Sequence, residues 1–110
     1  MAFILGQGIL GRVAFPDGEN PEYDRTYLVV GVNTSYIEVL NVSSIRGKER
    51  KLAFPTNERI NNAYPPFNKP SFVKLDSLTR IPSSDYSNFH VLAGGRPLNN
   101  TDLTRIIALI

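Results

Sequence analysis

The chain has 110 residues, and its 12 Lys and Arg against 10 Asp and Glu give a formal net charge of +2 at pH 7. This length suits one compact domain and is too short for a second hydrophobic core, so residues 1–110 are expected to form a single domain. The charge is far below that of a histone-like nucleic-acid binder, and the lack of cysteine excludes disulfides, thiolate metal sites and a cysteine nucleophile.

A mostly β fold is predicted because eight Gly, eight Pro, five Tyr and six Phe accompany many Val and Ile. The segment 26–32 (TYLVVGV) is nearly all apolar, which is typical of a central strand covered on both faces. The segment 36–42 (YIEVLNV) alternates as a half-buried strand does. In chain order, the predicted strands are residues 9–15, 26–32, 36–42, 51–54, 72–78 and 90–93.

Turn and loop residues separate these strands. The tripeptide 16–18 (PDG) ends the first strand and leads into a long polar loop at residues 19–24. The remaining predicted loops are a turn at 33–35, a turn around Gly47, an irregular segment 56–70 with room for one helical turn near 57–62, and 83–89, which is either a loop or a short helix.

A C-terminal helix is predicted from its cap and its apolar spacing. Asn100 or Thr101 can cap the helix, and Asp102 then lies in the first turn, where a carboxylate interacts favourably with the helix dipole. This helix is expected to pack on the sheet through one face, which carries Leu103, Ile106, Ile107 and Ile110.

Other sequence patterns bear on where the protein acts in the cell and on whether it needs a cofactor. No apolar run approaches the roughly 20 residues that cross a bilayer, so no membrane association is expected. The apolar start 3–5 is interrupted by Gly6 and Gly8 and lacks a basic leader, so a cytoplasmic rather than secreted protein is expected. No phosphate-loop or dinucleotide fingerprint is present, and neither a cofactor nor a metal is expected.

The segment 69–82 (KPSFVKLDSLTRIP) places an acid and a base close together. In an extended strand, Phe72, Lys74 and Asp76 share one face. At a rise of about 3.4 Å per residue, the Cα atoms of Lys74 and Asp76 lie roughly 7 Å apart, so both side chains can reach one phosphate. The alternative is an exposed ion pair on an amphipathic strand, which is worth only about 0 to 1 kcal/mol.

A local basic cluster occupies the segment 46–51 (RGKERK). Its cations are Arg46, Lys48, Arg50 and Lys51. Short basic stretches are common at hairpin tips, so a solvated loop is the first interpretation and a phosphate contact the second.

Three parts of the sequence, taken in chain order, share a pattern with a known family. They are residues 11–13 followed by 24–30 (DRTYLVV), residues 39–44 (VLNVSS), and residues 71–81 (SFVKLDSLTRI), which lie within the segment 69–82 described above. In combination they resemble the MazF/PemK family of toxin endoribonucleases from toxin–antitoxin pairs. The first is similar to the family's opening strand, loop and Arg-Pro-x-Leu-Val-Ile segment, with Thr26 in place of Pro. The second resembles the strand that ends in a Thr-Ser or Thr-x pair. The third is similar to Ser-Val-x-x-x-(Asp/Glu)-Gln-Ile-Arg-Thr-Ile.

The resemblance implies a fold and a reaction. The fold would be a small SH3-like β-barrel of the MazF/PemK/CcdB type with a C-terminal α-helix. The reaction would be metal-independent cleavage of single-stranded RNA, in which the 2′-hydroxyl attacks the neighbouring phosphorus. Asp76 would accept the 2′-hydroxyl proton, Lys74 would protonate the leaving oxygen, Arg25 would hold the nonbridging oxygens and Ser43 would orient the phosphate.

Four more residues are candidates for binding RNA. Arg46 and Lys48 can contact phosphates. Tyr64 and Phe67 can stack on unpaired bases, although aromatic residues beside proline more often plug a loop onto a barrel, and that structural role is preferred for both. His90, the only histidine, is interpreted as a partly buried side chain outside the site.

The resemblance also implies partners. The chain would be a homodimer held inactive by a cognate antitoxin protein, and Ile4, Leu5 and Ile110 are apolar residues that a dimer would cover. The alternative function is a noncatalytic barrel that binds RNA or poisons a protein target such as gyrase. It is motivated by the first loop, which is acidic and carries no His or Gln as some family members do there.

Overall fold

The computed structural model of the chain describes residues 2–13 and 22–110. Within those ranges the fold is mostly β and ends in one α-helix, as predicted. The strands are β1 (Gly8–Gly11), β2 (Arg25–Val32), β3 (Tyr36–Ser44), β4 (Asn57–Ile60), β5 (Ser71–Lys74), β6 (Thr79–Pro82) and β7 (His90–Val91), and the helix is α1 (Asn100–Ala108).

These strands form one antiparallel sheet. Its order is β4-β5-β3-β2-β1-β7, and β6 pairs with β3 beside this path. β3 pairs with β2 along one edge; along the other edge its first four residues pair with β6 and its last three with β5. β4 and β7 stand at the two ends of the order, and no pairing joins them in the described part of the chain. The sheet is therefore open, and the type of barrel remains a prediction.

The hydrophobic core has two parts, one on each face of the sheet. Leu28 and Val29 are neighbours in β2, are both 0% exposed and belong to different parts, which confirms the prediction of a strand covered on both faces. Leu103 and Ile106 of α1 belong to the same part as Leu28, so we call this side of the sheet the helix face. The part on the opposite face contains Phe3, Ile9, Tyr27, Val29, Ile37, Val39, Ile81 and Phe89.

The helix begins one or two residues earlier than predicted. Asn99 is the N-cap, because its side chain accepts a hydrogen bond from the backbone N–H of Asp102 at 2.9 Å, so the capping role expected of Asn100 or Thr101 is wrong. Leu103 and Ile106 are buried as predicted, and Ile107 is partly buried. Ile110 follows the helix and is 49% exposed.

Asp102 joins α1 to the chain that follows β4. Its buried carboxylate accepts hydrogen bonds from the backbone N–H groups of Asn61 and Asn62 at 3.3 and 2.8 Å. The side chains of Asn99 and Arg105 donate to it as well, at 2.8 and 2.6 Å. Burial alone would raise the pKa of Asp102, but these hydrogen bonds outweigh it and hold that pKa below its ordinary value.

Two predicted elements between β3 and β5 are wrong. The predicted strand 51–54 is a 3₁₀ helix, Glu49–Ala53, held by turn hydrogen bonds such as that from the N–H of Lys51 to the carbonyl of Lys48 at 2.9 Å. The predicted helical turn near 57–62 is strand β4, because Asn57–Ile60 pairs with β5 and thereby buries Ile60. This pairing supplies the ladder hydrogen bonds that the local sequence does not indicate.

The predicted strand 72–78 is interrupted. β5 ends at Lys74, a 3₁₀ turn follows at Leu75–Ser77, and β6 then begins at Thr79. Ser77 fixes this turn, since its hydroxyl donates to the carbonyl of Lys74 at 2.6 Å and accepts the N–H of Asn41 at 2.8 Å. The sequence analysis placed Asp76 and Lys74 on one face of a continuous strand. The strand ends at Lys74, before Asp76, so this prediction is wrong.

The other elements differ mainly in length. The predicted strand 9–15 corresponds to β1, and residues 14–15, with residues 16–21 of the turn and polar loop, lie outside the described residues. The predicted strand 90–93 is shorter, and Ser83–Asn88 is a 3₁₀ helix, one of the two forms expected for residues 83–89. No helix in the described ranges is long and apolar enough to cross a membrane.

Candidate functional site

Sheet register determines which predicted site residues share a face. Val42 in β3 pairs with Thr26 in β2 and with Val73 in β5, and both Val42 and Val73 belong to the core on the helix face. Residues next to these positions point to the opposite face, because side chains alternate along a strand. Three predicted site residues occupy such neighbouring positions: Arg25, Ser43 and Lys74.

Lys74 lies among other cations. Burial lowers the pKa of its ammonium group, and the charges of Lys51, Lys48 and Arg25 lower this pKa further. Asp76 acts in the other direction and raises it. We call Arg25, Lys48, Lys51 and Lys74 the cation cluster. Three cations from two other segments of the chain thus act on Lys74, with one carboxylate opposing them.

The turn after β3 delivers Lys48 to this cluster. Its Nζ donates a hydrogen bond to Oγ of Ser43 at 2.9 Å, and its backbone N–H donates to the carbonyl of Ile45 at 2.7 Å. Gly47 has φ of +76°, which L side chains rarely adopt, so glycine suits this tight turn. The basic segment 46–51 is therefore folded back onto the end of β3.

Arg25 begins β2 and is stacked on an aromatic ring. Its Cζ lies 5.2 Å from the centroid of the Tyr23 ring, which is within the range of a cation–π contact. The neighbouring carboxylate of Asp24 accepts a hydrogen bond from Nε of Arg12 at 3.1 Å. The stacking contact helps to orient the Arg25 guanidinium at the edge of the cation cluster.

Asp76 reaches the cluster from the 3₁₀ turn rather than from a strand. The turn is anchored by the N–H of Leu75, which donates to the carbonyl of Thr56 at 2.7 Å, and by the two hydrogen bonds of Ser77. Asp76 is exposed, and its charge acts on Lys74 two residues earlier. An exposed carboxylate in a hydrogen-bonded turn therefore acts on a partly buried ammonium group at the end of β5.

The other predicted RNA contacts differ in exposure. Arg46 is exposed in the turn after β3. Tyr64 is 60% exposed, whereas Phe67 is 5% exposed and packs in the core on the helix face, which is the structural role preferred for it. Lys51 was not among the predicted site residues. Its place in the basic segment 46–51 was the only sequence signal that could have pointed to it.

The cation cluster has the chemistry of a phosphate site. Lysine ammonium and arginine guanidinium groups are the usual partners of phosphate oxygens, and a serine hydroxyl adds a donor or an acceptor. No group of three or more His, Asp or Glu side chains suited to a metal ion occurs in residues 2–13 and 22–110. Comparison with protein-family models, curated proteins and solved structures gives no match to this chain.

Proposed function

We propose that this chain is the toxin of a type II toxin–antitoxin pair and a metal-independent endoribonuclease that cleaves single-stranded RNA. The proposal includes an SH3-like β-barrel, a cytoplasmic location, a homodimeric state and a cognate antitoxin that holds the toxin inactive. One observation carries it: Arg25, Ser43 and Lys74 share one face of the sheet, where the charges of Lys48, Lys51 and Arg25 act on Lys74 and Asp76 opposes them.

The electrostatics favour a polyanion as the ligand. The charges of Lys48, Lys51 and Arg25 oppose the charge of Lys74, and burial adds to the free energy of keeping Lys74 charged. A phosphodiester backbone relieves this repulsion, because each phosphate brings one negative charge within reach of the cations. Single-stranded RNA meets this requirement and also presents a 2′-hydroxyl next to every phosphate.

The proposed reaction assigns one role to each side chain. Asp76 accepts the proton of the 2′-hydroxyl, whose oxygen attacks the adjacent phosphorus. The bond from phosphorus to the 5′-oxygen breaks, and Lys74 gives its proton to that leaving oxygen. Arg25 holds the nonbridging oxygens while negative charge builds on them, and Ser43 orients the phosphate. The products are a 2′,3′-cyclic phosphate and a 5′-hydroxyl.

The lowered pKa of Lys74 suits this role. An ammonium group with an ordinary pKa is a weak acid at neutral pH, and a general acid works best when its pKa lies near the working pH. Burial and the three neighbouring cations move the pKa of Lys74 in that direction. The same side chain therefore binds phosphate as a cation and gives up its proton more readily than an exposed lysine.

Apolar residues at the surface support the proposed protein partners. Ile4 and Leu5 before β1 are 53% and 45% exposed, and Leu109 and Ile110 after α1 are 50% and 49% exposed. A dimer partner or an antitoxin would remove these side chains from water, which favours association.

Equilibrium sedimentation is expected to give a dimer, and a monomer at micromolar concentration would contradict this part of the proposal.

Digestion of a long single-stranded RNA in EDTA tests the nuclease. The wild-type chain is expected to cut it, and Lys74→Met, Asp76→Asn and Arg25→Gln are each expected to lose about 10²- to 10⁴-fold in rate. Arg80→Gln is the matched control, because Arg80 is an exposed cation of β6 that pairs with Glu38 at 3.5 Å. Full activity in the three site variants would contradict the assigned roles.

The second candidate is a noncatalytic barrel that binds RNA. Four cations beside one carboxylate are sufficient to hold phosphates, and none of them is required to move a proton. This candidate predicts that the wild-type chain binds single-stranded RNA, that Arg25→Gln and Lys74→Met weaken this binding, and that the RNA stays intact. Measuring binding and cleavage on one RNA therefore separates the two.

A further inference from the structure

A pocket of about 390 Å³ opens on the helix face of the sheet, at the start of β2 and the end of β3, whereas the cation cluster lies on the opposite face. This volume lies within the roughly 300 to 1,000 Å³ of small-molecule sites. Val42, Phe67 and Leu92 are among its apolar lining residues, and Ser44 and Ser71 supply hydroxyl groups. The pocket therefore combines an apolar surface with hydrogen-bonding groups, as a site for a flat polar ligand does.

Two cations line the same pocket. Lys69 and Arg96 are both exposed, so each can approach an anion. Within the pocket lining, neither Asp nor Glu is present to neutralise them. The pocket is thus suited to a ligand that carries negative charge next to an apolar, hydrogen-bonding part.

Tyr64 gives the pocket an aromatic surface. Its ring is held by Arg96, whose Nη2 donates to the phenol oxygen at 3.0 Å and whose Cζ lies 5.4 Å from the ring centroid. Tyr64 nevertheless remains 60% exposed, so much of the ring is open to a second planar group. Any of the four nucleobases can stack on such a ring. Polar groups nearby can then favour one base over the others.

Ser43 connects the pocket to the cation cluster. It lines the pocket, and its Oγ accepts a hydrogen bond from Nζ of Lys48. Thr26, which also lines the pocket, follows Arg25 of the cluster. The two sites therefore lie on opposite faces but share the start of β2 and the end of β3, so a single strand of RNA would pass from one to the other around this end of the sheet.

We infer that the pocket between Tyr64, Lys69 and Arg96 binds one unpaired nucleotide of the RNA, with its base on the Tyr64 ring and a phosphate on the cations. The inference rests on the proposed function, because it assigns this nucleotide to the strand that crosses the cation cluster. Serine hydroxyls and the side-chain amide of Asn68 then read the edge of the base. The pocket would thereby set the sequence preference of cleavage.

Calorimetric titration with nucleoside 5′-monophosphates and with ribose 5-phosphate tests the pocket without any cleavage. At least one nucleotide is expected to bind about 5- to 150-fold more tightly than ribose 5-phosphate, which is the range of one stacked base. Tyr64→Leu is expected to remove this difference, and Arg96→Gln to weaken both ligands. Equal affinity for nucleotide and ribose 5-phosphate, or unchanged affinities in Tyr64→Leu, would overturn the inference.

Tyr36→Leu is the matched control for the stacking residue. Tyr36 carries the same kind of contact, with Cζ of Arg80 at 4.5 Å from its ring centroid, and it does not line the pocket. This variant is expected to bind nucleotides as the wild-type chain does. A loss equal to that of Tyr64→Leu would overturn the assignment to this pocket.

A fully 2′-O-methylated RNA trinucleotide, which cannot react, tests the link between the two sites. It is expected to bind more tightly than any monophosphate, and to be weakened both by Tyr64→Leu and by Lys74→Met. Binding no tighter than a monophosphate would mean that the pocket takes free nucleotides, and would overturn the assignment to RNA. No bond is cut in these titrations, so they can support the pocket even if the chain proves not to cleave RNA. Conversely, if Tyr64→Leu cleaves RNA with an unchanged sequence preference, the pocket inference is contradicted and the nuclease proposal is not.

Discussion

Lys74 is a residue at which function and stability are expected to conflict. Its pKa is lowered in the folded chain from an ordinary value of 10.5, first by burial and then by Lys51, Lys48 and Arg25. Between the lowered and the ordinary pKa the unfolded chain binds more protons, so stability rises with pH in that window. At neutral pH the charged Lys74 therefore destabilises the fold.

Replacement of Lys74 by Met is accordingly expected to stabilise the chain at pH 7. The gain should be below about 1 kcal/mol, because solvent screens a side chain that is only partly buried. It should shrink as the pH approaches 10.5, where the wild-type ammonium group loses its proton. Thermal melts across this pH range measure the effect, with Lys69→Met as the exposed control. A lower melting temperature for Lys74→Met at pH 7 would contradict the account.

At the same scale, the sequence indicated some site residues and missed others. Arg25 and Ser43 lie at strand ends whose apolar pattern fixes which face they occupy, so their common face follows from the register. Lys51 reaches the cluster only because its segment forms a 3₁₀ helix beside β4. Arg96 follows two glycines, and nothing in its local sequence relates it to Tyr64, which is 32 residues away.

At the scale of elements, α1 and β4 are joined through charged groups at the helix face. Arg105 pairs with Glu58 of β4 and donates to the carbonyl of Arg59 at 3.0 Å. Asp102 accepts hydrogen bonds from the two residues that follow β4. The strand that pairs with the segment bearing Lys74 is thus held in place by the helix.

Substitution of Asp102 by Asn is expected to destabilise the chain by about 3 kcal/mol at pH 7, since it leaves buried donors without a charged acceptor. The pKa of Asp102 is lowered from 3.8, so the stability it supplies is present above that value and is lost as the pH falls through the lowered pKa. Urea unfolding from pH 7 to pH 2 measures both effects. The loss should be smaller in acid, whereas the exposed control Asp85→Asn should behave as wild type. Equal stability of Asp102→Asn and wild type at pH 7 would refute this role.

Local patterns predicted the long strands and missed the short ones. β2 and β3 follow from their apolar runs and alternation, because those patterns report burial directly. β4 is rich in polar residues and becomes a strand only by pairing with β5, so its signal is non-local. Ser77 ends the strand predicted at 72–78 through hydrogen bonds to β3 and to Lys74, and a sequence pattern does not contain such contacts.

At the scale of the whole molecule, the two faces of the sheet have different roles. α1 and its apolar contacts cover one face, while the cation cluster lies on the other near the ends of β2, β3 and β5. The nucleotide pocket inferred above opens at the shared end of β2 and β3. In the proposed function, a strand of RNA passes around this end of the sheet and touches both sites.

This arrangement predicts how salt affects RNA binding. Each phosphate contact to a single strand contributes a slope of about −0.7 to the dependence of log K on log salt concentration. Replacing Lys51 by Met is expected to make the slope shallower by about 0.7, whereas Arg80→Gln is expected to leave it unchanged. Anisotropy titrations of a fluorescent RNA at several salt concentrations give both slopes. An unchanged slope in Lys51→Met would place Lys51 outside the interface.

The central claim is that the cation cluster and Asp76 promote attack of an RNA 2′-hydroxyl on its own neighbouring phosphorus. Mass spectrometry of the ends of RNA fragments made in the presence of EDTA tests it most directly. The account predicts a 2′,3′-cyclic phosphate on one side of each cut and a 5′-hydroxyl on the other, because the attacking oxygen comes from the ribose. Fragments that end in a 3′-hydroxyl and a 5′-phosphate, or RNA that stays intact while bound, would contradict it.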